Sequence, residues 1–222
     1  MMNNYHWIIG AGHGSINPTQ ISGKSTHING KIMTAGKRSP RFPKGNPFEN
    51  QCLIEGSVNR DVMNYLSCLL PTFDTSFEIL TPTYKDMSLT ARCAKVNEIT
   101  RRSDKKCIYL SIHHNAFKTE WNTASGISSH YFKKGDSYSK NGKLLGEVFQ
   151  PKLVEWCDMR NRGVKGSNFK VLRETSPPAL LLECGFMTNL AEATTIMTEK
   201  GKQNTARAIY AGIIEIEQNK PI

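Results

Sequence analysis

Residues 106–116 constrain the fold of this chain more than any other segment. An apolar run, Cys107-Ile108-Tyr109-Leu110, continues through Ile112 into His113, His114 and Asn115. The run is too short for a helix and is rich in β-branched and aromatic residues, so it predicts a buried strand. In open α/β sheets, ligands bind at the carboxyl ends of the strands. We therefore expect this strand to deliver its histidines to a functional edge.

Two further apolar runs end in the same way. Residues 7–12 precede His13, and residues 179–182 precede Glu183. Segments with apolar residues at helical spacing lie between the runs. The sequence therefore predicts an α/β fold, a single three-layer domain with a twisted, mostly parallel (mixed) sheet of about six strands flanked by helices. The remaining strands are expected at 77–80, 126–132 and 168–172, and helices at 53–70, after Ser88, at 139–157 and at 203–218.

The composition limits the class of protein. The 222 residues are 38% hydrophobic, which is enough for one substantial core, so we expect one domain over 1–222 and a monomer. The six cysteines form no Cys-x-x-Cys pair, which argues against a thiolate zinc cluster. The first residues lack a basic segment followed by an apolar one, which predicts no signal peptide, and no apolar run has the length of a membrane span.

The chain is strongly basic, with a net charge of +10. This charge indicates acidic partners such as nucleic acid, anionic lipid or anionic wall polymer. No nucleic-acid-binding motif is present, so we expect no specific nucleic-acid partner. Residues from 15 to about 50 are irregular and are interpreted as a basic loop insertion that holds an acidic substrate, with a solvated loop of no function as the alternative. The insertion carries Lys24, Lys31, Lys37, Arg38, Arg41 and Lys44.

Four residues form a candidate site: His13, His113, Glu183, and Glu55, which opens the helix after the loop. Two imidazoles and one carboxylate are a common ligand set for a catalytic zinc ion. A second carboxylate within reach can then move protons. Each residue taken alone is more often structural, and it is their joint placement at strand and helix ends that indicates a site.

The sequence resembles the zinc-dependent N-acetylmuramoyl-L-alanine amidases, which cleave bacterial peptidoglycan. The matching segments occur in the order of that family and cover nearly the whole chain. They are Gly12-His13-Gly14, Glu55 at a helix start, Ser111-Ile112-His113-x-Asn115-Ala116, Arg162-Gly163-Val164-Lys165 and Leu182-Glu183-x-Gly185-Phe186.

The resemblance implies that His13, Glu55 and His113 bind one zinc ion and that Glu183 is the catalytic carboxylate. It implies hydrolysis of the amide between N-acetylmuramic acid and L-alanine, with peptidoglycan as the partner. Lys37 and Arg38 of the loop, together with Asn115, are the candidate substrate-binding residues. His114 stands where the family often has a small residue. Successive strand residues point to opposite faces, so His114 is expected to support the site or pack beside it.

The biological setting and the rival functions also follow as expectations. A basic catalytic domain with no signal peptide and no separate wall-binding domain is typical of a phage endolysin. Such a protein is made in the host cytoplasm and acts on the wall after release. The alternatives are a host autolysin or wall-remodelling amidase, a zinc peptidase acting on stem peptides, and a basic module that binds wall or nucleic acid without catalysis.

Overall fold

A computed structural model describes residues 4–15, 27–28, 31–32, 37–219 and 222. Its strands are β1 Tyr5–Ala11, β2 His27–Ile28, β3 Lys31–Ile32, β4 Ser76–Ile79, β5 Lys106–Asn115, β6 Ile127–Lys134, β7 Ser137–Tyr138, β8 Asn161–Ser167 and β9 Ala179–Phe186. Its α-helices are α1 Glu55–Leu69, α2 Leu89–Arg102, α3 Lys140–Cys157, α4 Lys170–Arg173, α5 Leu190–Met197 and α6 Glu199–Asn219, with a 3₁₀ turn at Leu70–Phe73.

Seven strands form the main sheet, in the order β4-β1-β5-β9-β6-β7 with β8 paired to β6. Strands β4, β1, β5 and β9 run parallel, whereas β6 is antiparallel to β9. Strands β1, β5 and β9 are neighbours in this parallel part, so their carboxyl ends meet at one edge. The predicted mostly parallel mixed sheet is confirmed, with seven strands where about six were expected.

Helices cover both faces of the sheet, as the three-layer prediction requires. The side chains of Ile108, Leu110 and Ile112 enter a core shared with α1, α3 and α6. The alternating side chains Cys107 and Tyr109 enter a second core, shared with α2 and α4. His114 continues the first series and His113 the second, because side chains alternate along a strand.

The predicted strand at 168–172 is wrong. The strand of that region is β8, which ends at Ser167, and the residues after Phe169 form the short helix α4. Val171 and Leu172, which suggested a strand, pack from α4 into the second core. Among the described strands, β8 pairs with β6 alone and is partly covered, so its sequence lacks the apolar run that marks a central strand.

The structure describes part of the basic loop insertion. Of the basic loop insertion, residues 16–26, 29–30 and 33–36, including Lys24, lie outside the described residues. The described part holds the small antiparallel pair β2–β3 and an isolated bridge between Arg38 and Ile54.

Among the helices that the structure describes, none is long and apolar enough to cross a membrane.

Candidate metal centre

Three elements bring the predicted ligands together at the carboxyl edge of the sheet. His13 follows β1 by two residues, Glu55 is the first residue of α1, and His113 lies near the end of β5. Each of these residues has one donor atom that lies within 4.8 Å of a donor atom of both other residues. The structure therefore assembles the three residues that the resemblance named as metal ligands.

The Glu55 carboxylate lies between the two imidazoles. Its Oε2 is 3.4 Å from His13 Nε2, and its Oε1 accepts a hydrogen bond of 3.0 Å from His113 Nδ1. The two rings stand nearly perpendicular, with centroids 5.2 Å apart. Two imidazole nitrogens and a buried carboxylate are donors that zinc prefers, so this set fits a zinc ion with a position left for water.

Two glycines make this close approach possible. A Cβ at Gly12 would collide with the His113 ring, and one at Gly56 would collide with the Gly14 carbonyl oxygen. The Gly12 amide also donates a 2.8 Å hydrogen bond to the Ile112 carbonyl, which extends the β1–β5 pairing up to the site. The segment that carries His13 is therefore held against both β5 and the start of α1.

The environment keeps His13 and Glu55 in the protonation states that metal binding needs. Burial lowers the pKa of His13 from 6.5 to about 4, so its imidazole is neutral at pH 7. Burial alone would raise the pKa of Glu55, but the hydrogen bond and charge of His113 outweigh it and lower this pKa to about 2. A neutral imidazole and an ionised carboxylate are the forms that bind a metal.

Glu183 lies beside the ligand set rather than in it. It is opposite His113 in the parallel β5–β9 register, and its buried Oε2 has no hydrogen-bond partner among the described residues. Burial raises its pKa to about 7, although the charges of His113 and Lys37 oppose this shift. A carboxyl group with a pKa near 7 can both accept and donate a proton at neutral pH.

The three predicted substrate-binding residues occupy different positions. The Lys37 carbonyl accepts the Glu55 amide at 3.0 Å, and the Lys37 charge lowers the pKa of His13, Glu55 and Glu183. Arg38 is exposed beside the site, in the bridge to Ile54. The Asn115 side chain accepts the Ala116 amide at 2.8 Å. Lys37 is thus the one of the three whose charge acts on the site groups.

A polar row continues from Glu183 across the sheet. Ser128 lies opposite Glu183, and its hydroxyl is 3.0 Å from Nε2 of the buried His130. The other ring nitrogen of His130 is 2.8 Å from the Ser167 hydroxyl. The exposed Phe169 ring lies against His130, at 5.4 Å between centroids. No motif in the sequence marks His130 as a site residue.

The sequence analysis also missed the buried polar residues around the ligands. His114 packs beside the site as expected, but its partner is Asn59 of α1, at 2.8 Å. Asn59 further donates to the Gly12 carbonyl, and Arg60 donates to the carbonyl of His13 itself. One signal was available in the sequence: Asn59 lies four residues after Glu55 and therefore on the same face of α1.

The chain is similar to a known family and to several known proteins. The Amidase_3 family, described as N-acetylmuramoyl-L-alanine amidase, matches residues 8–215. The crystal structure of an N-acetylmuramoyl-L-alanine amidase from Clostridium difficile 630 has a TM-score of 0.73 and 28% identity, and covers 99% of this chain and 100% of that chain. An uncharacterized cell wall amidase of Bacillus anthracis is 36% identical over 118 residues, 51% of this chain and 22% of the relative. The N-acetylmuramoyl-L-alanine amidase LytC of Bacillus subtilis is 33% identical over 108 residues, 48% of this chain and 21% of the relative. Those matches thus span about a fifth of each of the two curated relatives.

Proposed function

This chain belongs to the N-acetylmuramoyl-L-alanine amidase family, and we propose that it is a zinc hydrolase of bacterial peptidoglycan. The bond cleaved is the amide between the lactyl group of N-acetylmuramic acid and the first L-alanine of the stem peptide. The observation that supports this proposal is the convergence of His13, Glu55 and His113 within 4.8 Å. Glu183, which lies opposite His113 in the β5–β9 register, supplies a second carboxylate.

In this proposal His13, Glu55 and His113 hold the zinc ion. A bound zinc ion supplies a Lewis acid and makes hydroxide available at neutral pH. The chain itself supplies the proton transfer through Glu183. Its carboxylate takes a proton from the attacking water as the new carbon–oxygen bond forms. It returns that proton to the L-alanine nitrogen as the carbon–nitrogen bond breaks, so the products are a free lactyl carboxyl and a free amine.

The basic residues beside the site are proposed to bind the substrate. Stem peptides carry carboxylates, which a positive charge attracts at short range in partly buried surroundings. Lys37 is the best-placed candidate, because its charge already acts on Glu183 and on two ligands. Arg38 and Asn115 stay predictions for the same role.

The experiment is digestion of purified sacculi, with the released fragments identified by mass. Wild type should release intact stem peptides with a free L-alanine amine, and a chelator should stop the release until zinc is restored. Glu183→Gln should still bind zinc but lose about 10²–10⁴-fold in rate, which is the usual contribution of a proton-transfer group. Glu174→Gln is the control, because that carboxylate is exposed and pairs with Lys170 and Arg173.

Other outcomes would identify a rival function. Fragments cut within the stem peptide would indicate a zinc peptidase, and binding to sacculi without any new amine would indicate a wall-binding module. A Glu183→Gln variant with nearly wild-type activity would refute the role given to Glu183. Action in phage-mediated lysis after synthesis in the host cytoplasm stays a prediction, as does the alternative of host wall remodelling.

A further inference from the structure

We propose that Asn59 is the positioning residue of the metal centre, and that His114 is the donor that holds it in place. This inference rests on the proposed zinc site and goes beyond it, because neither residue is one of the three proposed ligands. The side chain of Asn59 joins the two chain segments that carry the histidine ligands. It does so from the helix that carries the third ligand.

The contacts of Asn59 are specific to those two segments. Its Nδ2 donates a 3.1 Å hydrogen bond to the carbonyl of Gly12, the residue before His13. Its Oδ1 accepts a 2.8 Å hydrogen bond from Nδ1 of His114, the residue after His113. The side chain is fully buried, so water does not compete for either contact.

His13 needs such external support because of its backbone conformation. Its φ of 57° lies in the left-handed region, which is unfavourable for a residue that carries a Cβ. The carbonyls around it are each held by a side chain from another element. Arg92 donates to the Ala11 carbonyl at 2.7 Å, Asn59 to that of Gly12, and Arg60 to that of His13 at 2.6 Å. Asn59 also contacts His114, the residue next to the other histidine ligand.

The same network assigns the role of His114. An amide oxygen only accepts hydrogen bonds. Nδ1 of His114 is therefore the protonated ring nitrogen, and it donates the hydrogen bond to Asn59 Oδ1. The backbone amide of His114 lies 3.3 Å from Glu55 Oε1 and also points to the ligand set. A side chain that keeps a donor at the Nδ1 position, such as asparagine, should therefore replace His114, whereas leucine should not.

The test measures zinc affinity rather than activity, by competition of the full-length protein with a chromophoric chelator. Asn59→Leu and His114→Leu remove the network with little change in size. Both should weaken zinc binding about 10–100-fold, which is typical when residues that orient metal ligands are lost. His114→Asn restores the donor and should bind zinc within about threefold of wild type.

Val62→Ala is the control for a purely structural effect. Val62 is buried in the same helix and packs in the core, but belongs to neither ligand segment. Its truncation should lower the melting temperature and leave the zinc affinity unchanged. The proposal is overturned if Asn59→Leu and His114→Leu bind zinc as tightly as wild type. It is also overturned if His114→Asn is as weak as His114→Leu, or if Val62→Ala weakens zinc as much.

The outcomes separate this inference from the proposed function. A wild type that binds no zinc refutes both. A wild type that binds zinc and releases alanine-ended peptides, with both leucine variants unchanged in affinity, refutes only the positioning role. If Asn59→Leu fails to fold, the His114→Leu and His114→Asn pair still decides the matter, because His114 lies on a different element.

Discussion

Replacing Gly12 with alanine tests whether close packing of the His13 segment against His113 sets the metal geometry. A Cβ at this position would lie 2.5 Å from Nε2 of His113 and closer still to two other ring atoms. Ordinary van der Waals contacts begin at about 3.4 Å, so the ring or the Gly12 backbone must move by about 1 Å. Neither can move freely, because His113 is hydrogen-bonded to Glu55 and the Gly12 carbonyl to Asn59.

The size of that shift gives the expected effect. Metal–ligand distances are tolerated within about 0.2 Å, so a displacement of about 1 Å removes one ligand from productive geometry. We expect Gly12→Ala to weaken zinc binding at least about tenfold and to lower wall hydrolysis accordingly. Chelator competition and sacculus digestion measure the two effects separately.

Gly146→Ala is the matched control for the alanine substitution itself. This glycine lies in α3, where a Cβ would meet Val164 Cγ1 at 2.5 Å, so the steric conflict is similar but involves no metal ligand. It should destabilise the fold and leave the zinc affinity of the folded protein unchanged. Wild-type zinc affinity in Gly12→Ala would refute the reasoning, since the ligands would then tolerate a displacement that the geometry forbids.

Two further predictions concern charge. Burial lowers the pKa of His130 from 6.5 to about 4. Between these pH values the unfolded chain binds a proton that the folded protein does not. The free energy of unfolding therefore falls by up to about 3 kcal/mol as the pH drops from about 6.5 to 4. Urea unfolding from about pH 4 to 7 should show a smaller acid loss in His130→Gln than in wild type, and equal losses would contradict the assignment. Lys37 lowers the pKa of Glu183, so Lys37→Met should move the acid limb of kcat/KM to higher pH. Lys44→Met should not move it, and a profile unchanged in Lys37→Met would show that the charge does not act there.

The sequence revealed those parts of the site that lie on central strands and at a helix start. His113 and Glu183 each sit in or just after a long apolar run, because a strand buried on both faces needs apolar side chains on both. The start of α1 was visible for a similar reason, since apolar residues at helical spacing follow Glu55 directly. The resemblance to the amidases then named His13, Glu55 and His113 as the ligands, and the structure brings these three residues together.

The parts that the sequence did not reveal depend on partners distant in the chain. Asn59 is a polar residue on the buried face of α1, and its partners at Gly12 and His114 lie 47 and 55 residues away. Its spacing of four residues places it on the face of α1 that carries Glu55, but that spacing does not identify Gly12 and His114 as its partners. Strand β8 was missed because a strand with glycines at the edge of a sheet shows no hydrophobic period. Val171 and Leu172 of α4 are adjacent apolar residues and so suggested a strand at the wrong place.

The way in which His13 is held explains how a long insertion can follow it directly. The sheet register fixes His113 and Glu183, and α1 fixes Glu55, but His13 lies beyond the last residue of β1. Its position depends on carbonyl contacts from α1 and α2 to residues 11–13, all of which precede the insertion. These contacts come from Asn59, Arg60 and Arg92, which lie outside the basic loop, whereas the Lys37 carbonyl of the loop accepts the Glu55 amide. Among the described residues, the loop therefore bears more directly on Glu55 than on His13.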